Sequence, residues 1–250
     1  MSTQINKPTI VVWFSCGAAS AVAAKKTIER YSKTHNIRIV NNPIAEEHSD
    51  NKRFLKDIEK WLGVEIEYAI NPSFPSGSIV DVWEKKKAMS FPHGAPCTVA
   101  LKKQARYHWE RENECHAVVL GFTVDEKHRH NNFRKAEMIP ILPVLIQANL
   151  SKQDCFQVLE RAGINLPAIY SYGFPNANCV GCSKATSPTY WNKVREVFPE
   201  IFSQRAEQSR RLGVKLARVK NQRIYLDELD PAAKGRKLKS LETYQCSLFC

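Results

Sequence analysis

Residues 11–22 read VVWFSCGAASAV. Four apolar residues suited to a buried strand run into a corner of small residues, and the chain then continues apolar at helical spacing. A strand that ends where a helix begins opens an α/β unit, and such units bind ligands at the carboxyl ends of their strands. The corner itself is Ser15, Cys16, Gly17, Ala18, Ala19 and Ser20. It brings free backbone N–H groups and the positive end of a helix dipole to one place, which suits a phosphate. Gly17 allows close backbone approach, and Ser15 and Ser20 add hydroxyl donors. The alternative use of such a corner is a tight strand–helix junction. The stretch is neither a GxGxxG fingerprint nor a P-loop, because no lysine follows the glycine at the required spacing.

Working outward, TIVVWF (9–14), IRIVNNP, VEIEYAI, HAVVLGF and MIPILPVLI read as strands. SAVAAKKTIERYSK, DNKRFLKDIEKWLG and the basic TVALKKQARYHWEREN read as helices between them, with NPSFPSGSIVDVWEKKKAMSFPHGAPC as a loop containing helical pieces. That alternation predicts an α/β fold with a doubly wound, mostly parallel sheet over residues 1–148. From 149 to 250 the pattern predicts a smaller, mainly helical subdomain. A helix starts at Ser151 with Asp154 three residues on, close to a capping box, and Pro188 opens another. LARVKNQRIYLDEL reads as a hairpin, and GRKLKSLETYQCSLFC is a basic tail with two cysteines.

The 250 residues are 43% hydrophobic and 25% charged, the composition of a globular chain. No apolar run approaches the ~20 residues of a membrane span. The start lacks the pattern of a secretory signal, so a cytoplasmic location and no membrane partner are expected. The formal net charge of +12 favours polyanions, through nucleic acid or a smaller nucleotide. In that compartment the eight cysteines are metal ligands, catalytic thiols or core residues rather than a disulfide framework. Cys115 and Cys155 lie in apolar patterns and are expected in the core. Cys179 and Cys182 form CVGC, a spacing shared by zinc sites, redox pairs and clusters, and two more ligands are needed for zinc or [4Fe–4S]. Cys97, Cys246 and Cys250 are the candidates. Lys102 and Lys103 follow Cys97, while Lys127, His128, Arg129 and His130 follow a strand. Such cations can stabilise charge in phosphoryl chemistry. Lys184, Lys193, Arg195, Arg205, Arg210, Arg211, Lys215, Arg218, Lys220 and Arg223 make the C-terminal part basic, with Tyr190 and Trp191 interleaved. A basic face with aromatics suits nucleic acid, although Trp191, Val194, Val197 and Phe198 also sit at the spacing of a packed helix.

Five segments in order, SCGAAS, NNPIAEEHSDNKRF, PCTVALKK, GFTVDEKHR and YSYGFPNANCVGCSKATSPTYWNKVREVFPEIF, resemble the adenine-nucleotide alpha-hydrolase (PP-loop ATP pyrophosphatase) superfamily. Within it they are most similar to the phosphoadenylylsulfate (PAPS) reductase-like branch. The resemblance implies that Ser15–Ser20 cradle the phosphates of ATP with Mg2+, although Ala19 stands where the common loop has an acid. It implies roles for Lys102 and Arg129, and a [4Fe–4S] cluster on Cys97, Cys179, Cys182 and Cys250, with Cys246 as a mobile catalytic thiol. Cys246 and Cys250 could exchange roles, and zinc could replace iron–sulfur. Cys16 is expected to be small rather than catalytic. The chain is similar to the DNA phosphorothioation sulfurtransferases. This implies sulfur transfer to an adenylated nucleic acid, DNA before tRNA, with a cysteine desulfurase as donor and other modification subunits as possible partners. The alternatives are an assimilatory reductase of PAPS or adenylylsulfate, and a non-catalytic nucleotide-binding subunit of a modification complex.

Overall fold

Six consecutive buried residues, Thr9–Phe14, form strand β1, and burial on both faces marks it as a central strand. The structure is a computed structural model that describes residues 7–91 and 94–238. After β1 come α1 (Ala18–Tyr31), β2 (Asn36–Asn41), α2 (Asn51–Leu62), β3 (Ile66–Tyr68) and α3 (Ile79–Lys86). A π-helical segment, Thr98–Gln104, leads into α4 (Ala105–Glu112), followed by β4 (Ala117–Val119), α5 (Lys127–Lys135) and β5 (Ile141–Leu142). The chain continues with α6 (Val144–Gln147), α7 (Lys152–Arg161), α8 (Pro188–Val197), α9 (Pro199–Arg211) and the antiparallel pair β6 (Ala217–Val219) and β7 (Gln222–Ile224).

The fold is α/β, with a five-stranded parallel sheet in the order β3-β2-β1-β4-β5. Val12 pairs with Ile39 on one side and Val119 on the other. The chain first winds outward through β2 and β3, then returns to place β4 on the opposite side of β1. The order therefore reverses between β1 and β4, and the crevice at their carboxyl ends is the topological switch point. One face of the sheet packs Val11, Trp13, Val40 and Val118 with Trp109 and Ile141, and Trp13 meets Trp109 edge-on at 5.7 Å. Beside this cluster, buried Arg106 pairs with Glu137 at 2.5 Å.

The chain divides into two compact units. The first holds the sheet and comprises residues up to Pro43, Ser49–Ala69 and Arg106–Pro167. The second comprises Ile44–His48, Ile70–Ala105 and the chain from Ala168 on, with α3, α8, α9 and the hairpin. The boundary expected at 148/149 falls inside the first unit, whose α7 packs on α1.

Local signals explain most elements. Ser151 and Asp154 close a full capping box on α7, with Asp in the place usually held by Glu. Gly63 ends α2 in the left-handed conformation. One expectation changes. MIPILPVLI gives only the two residues of β5, because Pro143 interrupts the run and α6 begins at Val144. GFTVDEKHR leads into a helix, α5. No helix among the described residues is long and apolar enough to cross a membrane.

Burial at the start of α7 pushes the Lys152 ammonium down to about 8. The unfolded chain holds more protons than the folded one between that value and about 10.4, so this group's contribution to stability grows as pH rises through the interval. Lys152→Met is expected to stabilise the protein at pH 7 by on the order of 1–3 kcal/mol, with the gain shrinking towards pH 10. Urea unfolding at both pH values measures it.

Candidate functional site

The corner after β1 is built by its own backbone. Cys16 adopts φ 53°, a left-handed conformation that non-glycine residues enter rarely and that recurs at functional sites. This reverses the chain so that Gly17, extended at φ −111° and ψ 158°, caps α1 without a side-chain hydrogen bond. Intrahelical pairing begins when the Ala21 N–H donates to Gly17 O at 3.1 Å. The amides of Ala18, Ala19 and Ser20 precede that bond and form the open N-terminal turn. The Ser20 hydroxyl is turned inward: it donates to Gly17 O at 2.9 Å and accepts from the Ser15 N–H at 3.1 Å. Ser20 is thus a brace that fixes the loop, and Ser15, exposed, is the serine on the open side. Ala18 is buried and Ala19 half-buried, so the first turn carries only methyl groups beside its amides.

Two residues that sequence reasoning did not single out complete the corner. Asn41, buried at the end of β2, donates from Nδ2 to Phe14 O at 2.8 Å and lies 3.6 Å from Cys16 Sγ. It ties the carboxyl ends of β1 and β2 together. Gly121, just beyond β4, lies against the start of α1. A methyl group there would sit 2.8 Å from Ser20 N and 3.0 Å from Ala19 C. Only glycine lets the two strand ends flank the helix N-terminus this closely. The signal in the sequence was the glycine that follows HAVVL, but its partner lies about a hundred residues away.

Arg129 stands on α5, downstream of β4. It is exposed, pairs with Glu126 and lies over the Phe122 ring at 5.5 Å. His130 is buried against Phe122, and His128 contacts Asn132 at 3.0 Å. The corner has no carboxylate of its own, in keeping with Ala19. Among the described residues, no group of three or more His, Cys, Asp or Glu side chains is arranged to hold a metal ion. Mg2+ at the corner would therefore depend on oxygens brought by the nucleotide itself.

The second unit carries the thiols. Cys97 begins the π-helical segment, and Cys179 and Cys182 flank a turn at Gly181, φ 70°. The three sulfurs lie within electrostatic reach of one another. Burial pushes Cys179 up to about 12 and also raises Cys97, where Cys182 adds to the rise. The Cys182 amide donates to Tyr190 Oη at 3.0 Å, and the Val180 amide to Glu46 O at 3.0 Å, so the turn is held from both sides. Lys102 Nζ lies 3.8 Å from Glu47 Oε1, and its side chain is 41% exposed. Burial opposes its charge, but Glu47 and the three thiols together hold its pKa above the ordinary value. Lys102 and the three cysteines thus lie within electrostatic reach of one another. Cys246 and Cys250 lie outside the described residues. Cys155 is fully buried, and Cys115 packs partly buried against the sheet cluster.

The basic C-terminal face is narrower than its composition suggests. Arg205 is buried, Arg195 donates to Leu229 O at 2.7 Å, and Arg210 pairs with Asp227 and Glu228. Arg211 pairs with Glu84, and Lys193 with Glu196. Lys184, Arg218 and Lys220 remain exposed. Trp191 is fully buried, in line with its helical spacing.

No family model and no curated protein matches the sequence. Solved structures do match. One is a PAPS reductase from Candida auris in complex with phosphate, with a TM-score of 0.49 and 10% identity over 71% of this chain and 84% of that chain. Another is the U34-tRNA thiolase NcsA from Methanococcus maripaludis with its [4Fe-4S] cluster, with a TM-score of 0.46 and 13% identity over 64% of this chain and 59% of that chain.

The contact at Gly121 makes a direct prediction. Gly121→Ala should force β4 and α1 apart and cost about 1–3 kcal/mol, as overpacking of a tight contact does. Urea denaturation of the variant beside the wild type measures it.

Proposed function

We propose that this chain is an ATP pyrophosphatase of the PP-loop kind that activates a nucleic acid for sulfur incorporation. The observation that carries the reading is the corner at the switch point, where a braced loop of small residues presents the first amides of α1. An adenine nucleotide placed there would set its phosphates on those amides, with the helix dipole favouring their charge. An oxygen of the nucleic acid attacks the α-phosphorus, the bond to the bridging oxygen breaks, and pyrophosphate leaves with its electron pair. The adenylated oxygen then departs as AMP when a sulfur nucleophile forms its bond to the acceptor. The amides of Ala18, Ala19 and Ser20 stabilise the charge that develops on the departing pyrophosphate. Ser15 and Arg129 are candidates for further contacts with it.

The thiols of the second unit supply the other half of the reading. Three half-buried cysteines near a lysine, with buried donors around them, suit a thiolate-ligated anionic group, and Cys97, Cys179 and Cys182 would hold a [4Fe–4S] cluster. Bound there, the cluster would supply a site for handling sulfur. Cys250 is proposed as the fourth ligand and Cys246 as the catalytic thiol, with the two roles exchanged as the alternative. A cysteine desulfurase is the proposed source of sulfur, and the acceptor is DNA before tRNA. Lys184, Arg218 and Lys220 are the exposed cations proposed to meet its phosphates.

The test uses anaerobically purified full-length protein. Pyrophosphate release from ATP is measured with and without DNA or tRNA, beside sulfite release from PAPS and adenylylsulfate. The expected result is nucleic-acid-stimulated pyrophosphate release that falls at least about tenfold in Ser20→Ala, which unbraces the donor loop. Sulfite release dependent on Cys246 would replace this reading with the reductase.

A further inference from the structure

Buried donors without acceptors are rare in folded proteins, and each asks what it serves. The second unit has three of them beside its cysteines. Trp83 is fully buried, and its indole N–H closes no hydrogen bond of regular geometry among the described residues, the Cys97 thiol being the group it acts on. Arg205 is 3% exposed, and its Nη1 donates to Gln208 at 2.8 Å, but its Nε–H has no acceptor among them. Ser183, next in the chain after Cys182, is 2% exposed, and its hydroxyl likewise has none.

These groups are gathered around the sulfurs. The Arg205 guanidinium lies over the Trp83 ring at 5.1 Å. A methyl group on Gly181, between the two cysteines of CVGC, would lie 3.2 Å from Arg205 Nε. The Trp83 N–H acts on Cys97 and favours its thiolate, while Arg205 lies in the field of Cys179 and Cys182. Burial works against the guanidinium charge. Glu46, the carboxylate that acts on it most strongly, already accepts from the Ser78 hydroxyl at 2.6 Å and the Ile79 amide at 2.9 Å. An anionic sulfur placed at the cysteines would accept from these donors. Sulfur atoms of a thiolate-bound cluster have that character, and hydrogen bonds to them tune such a group.

We infer that Trp83 Nε1–H and Arg205 Nε–H are hydrogen-bond donors to the sulfurs of an iron–sulfur group held by Cys97, Cys179 and Cys182, acting as positioning residues that raise its reduction potential. The inference rests on the cluster reading above. Reduction adds negative charge, which a buried cation and two N–H donors favour. Removing either one therefore makes the group harder to reduce.

The full-length protein is reconstituted anaerobically with ferrous iron and sulfide. Iron and sulfide content and the midpoint potential are then measured for the wild type, Trp83→Phe, Arg205→Leu and Arg205→Lys. Trp83→Phe removes the N–H and part of the ring while keeping an aromatic face under Arg205, so its urea stability is measured beside its potential. It should retain the wild-type iron content and shift the potential negative. Arg205→Leu should shift it further, by about 59 mV or more, a tenfold change in a one-electron equilibrium. Arg205→Lys should recover part of that shift. Should Arg205→Leu fail to fold, Trp83→Phe and Arg205→Lys decide the matter between them. Variants that keep their iron and the wild-type potential would sink the inference while leaving the cluster reading standing. A wild-type protein that retains neither iron nor sulfide would remove the cluster reading, and the inference with it.

Discussion

The backbone of Gly121 lies so near the first turn of α1 that a single methyl group would meet Ser20 N at 2.8 Å. Much of the first unit follows from this approach. It allows β4 to lie directly beside β1, so that the strand order reverses at the place where α1 begins. The loop between β1 and α1 then has to turn sharply, and Cys16 does so in a left-handed conformation. Nothing bulky fits at Ala18 or Ala19, and the inward hydroxyl of Ser20 replaces the side-chain cap that Gly17 lacks. The resulting turn is polar through its backbone and the exposed Ser15 hydroxyl. Such a surface binds a charged oxygen group without relying on flexible side chains, which lowers the cost of ordering on binding.

The second unit solves the opposite problem. Its polar groups are side chains, and most of them are at least half-buried. Three thiols, a lysine near Glu47, an arginine over a tryptophan and a tyrosine bonded to the Cys182 amide occupy one region. Burial disfavours the free thiolates of Cys97 and Cys179, which are therefore poor nucleophiles by themselves, and a bound cation would favour their deprotonated form. Chemistry and packing thus point the same way.

Period and spacing made the sheet legible. Alternating apolar runs located the strands, small residues located the corner, and CVGC with PCTVALKK located the thiols. What escaped were facts about distance in space. Gly121 looks like any glycine after a strand until Ser20 is beside it. Asn41 looks like the end of a strand until its amide reaches Phe14 O. Arg205 looks like one cation of a basic face, and no pattern says that this one is buried while Lys220 is exposed. The charge of the C-terminal part was likewise read without its partners, because Glu84 and Arg211 are 127 residues apart. β5 was overestimated because apolar content alone does not register what Pro143 forbids.

The second unit is assembled from three separated stretches, two of which are enclosed by segments of the first. That arrangement sets an order of events during synthesis. All strands of the parallel sheet have emerged once residue 142 is made, and the first unit is complete at Pro167. Ile44–His48 and Ile70–Ala105 must then wait for α8 and α9 before they can bury their own side chains. Until that point Trp83, Cys97 and Lys102 belong to a chain whose partners do not yet exist, an exposure that grows with the sequence separation of the contacts. A newly made molecule therefore passes through a stage in which its sheet-bearing unit is complete while Cys97 and Lys102 still lack the contacts that α8 and α9 bring.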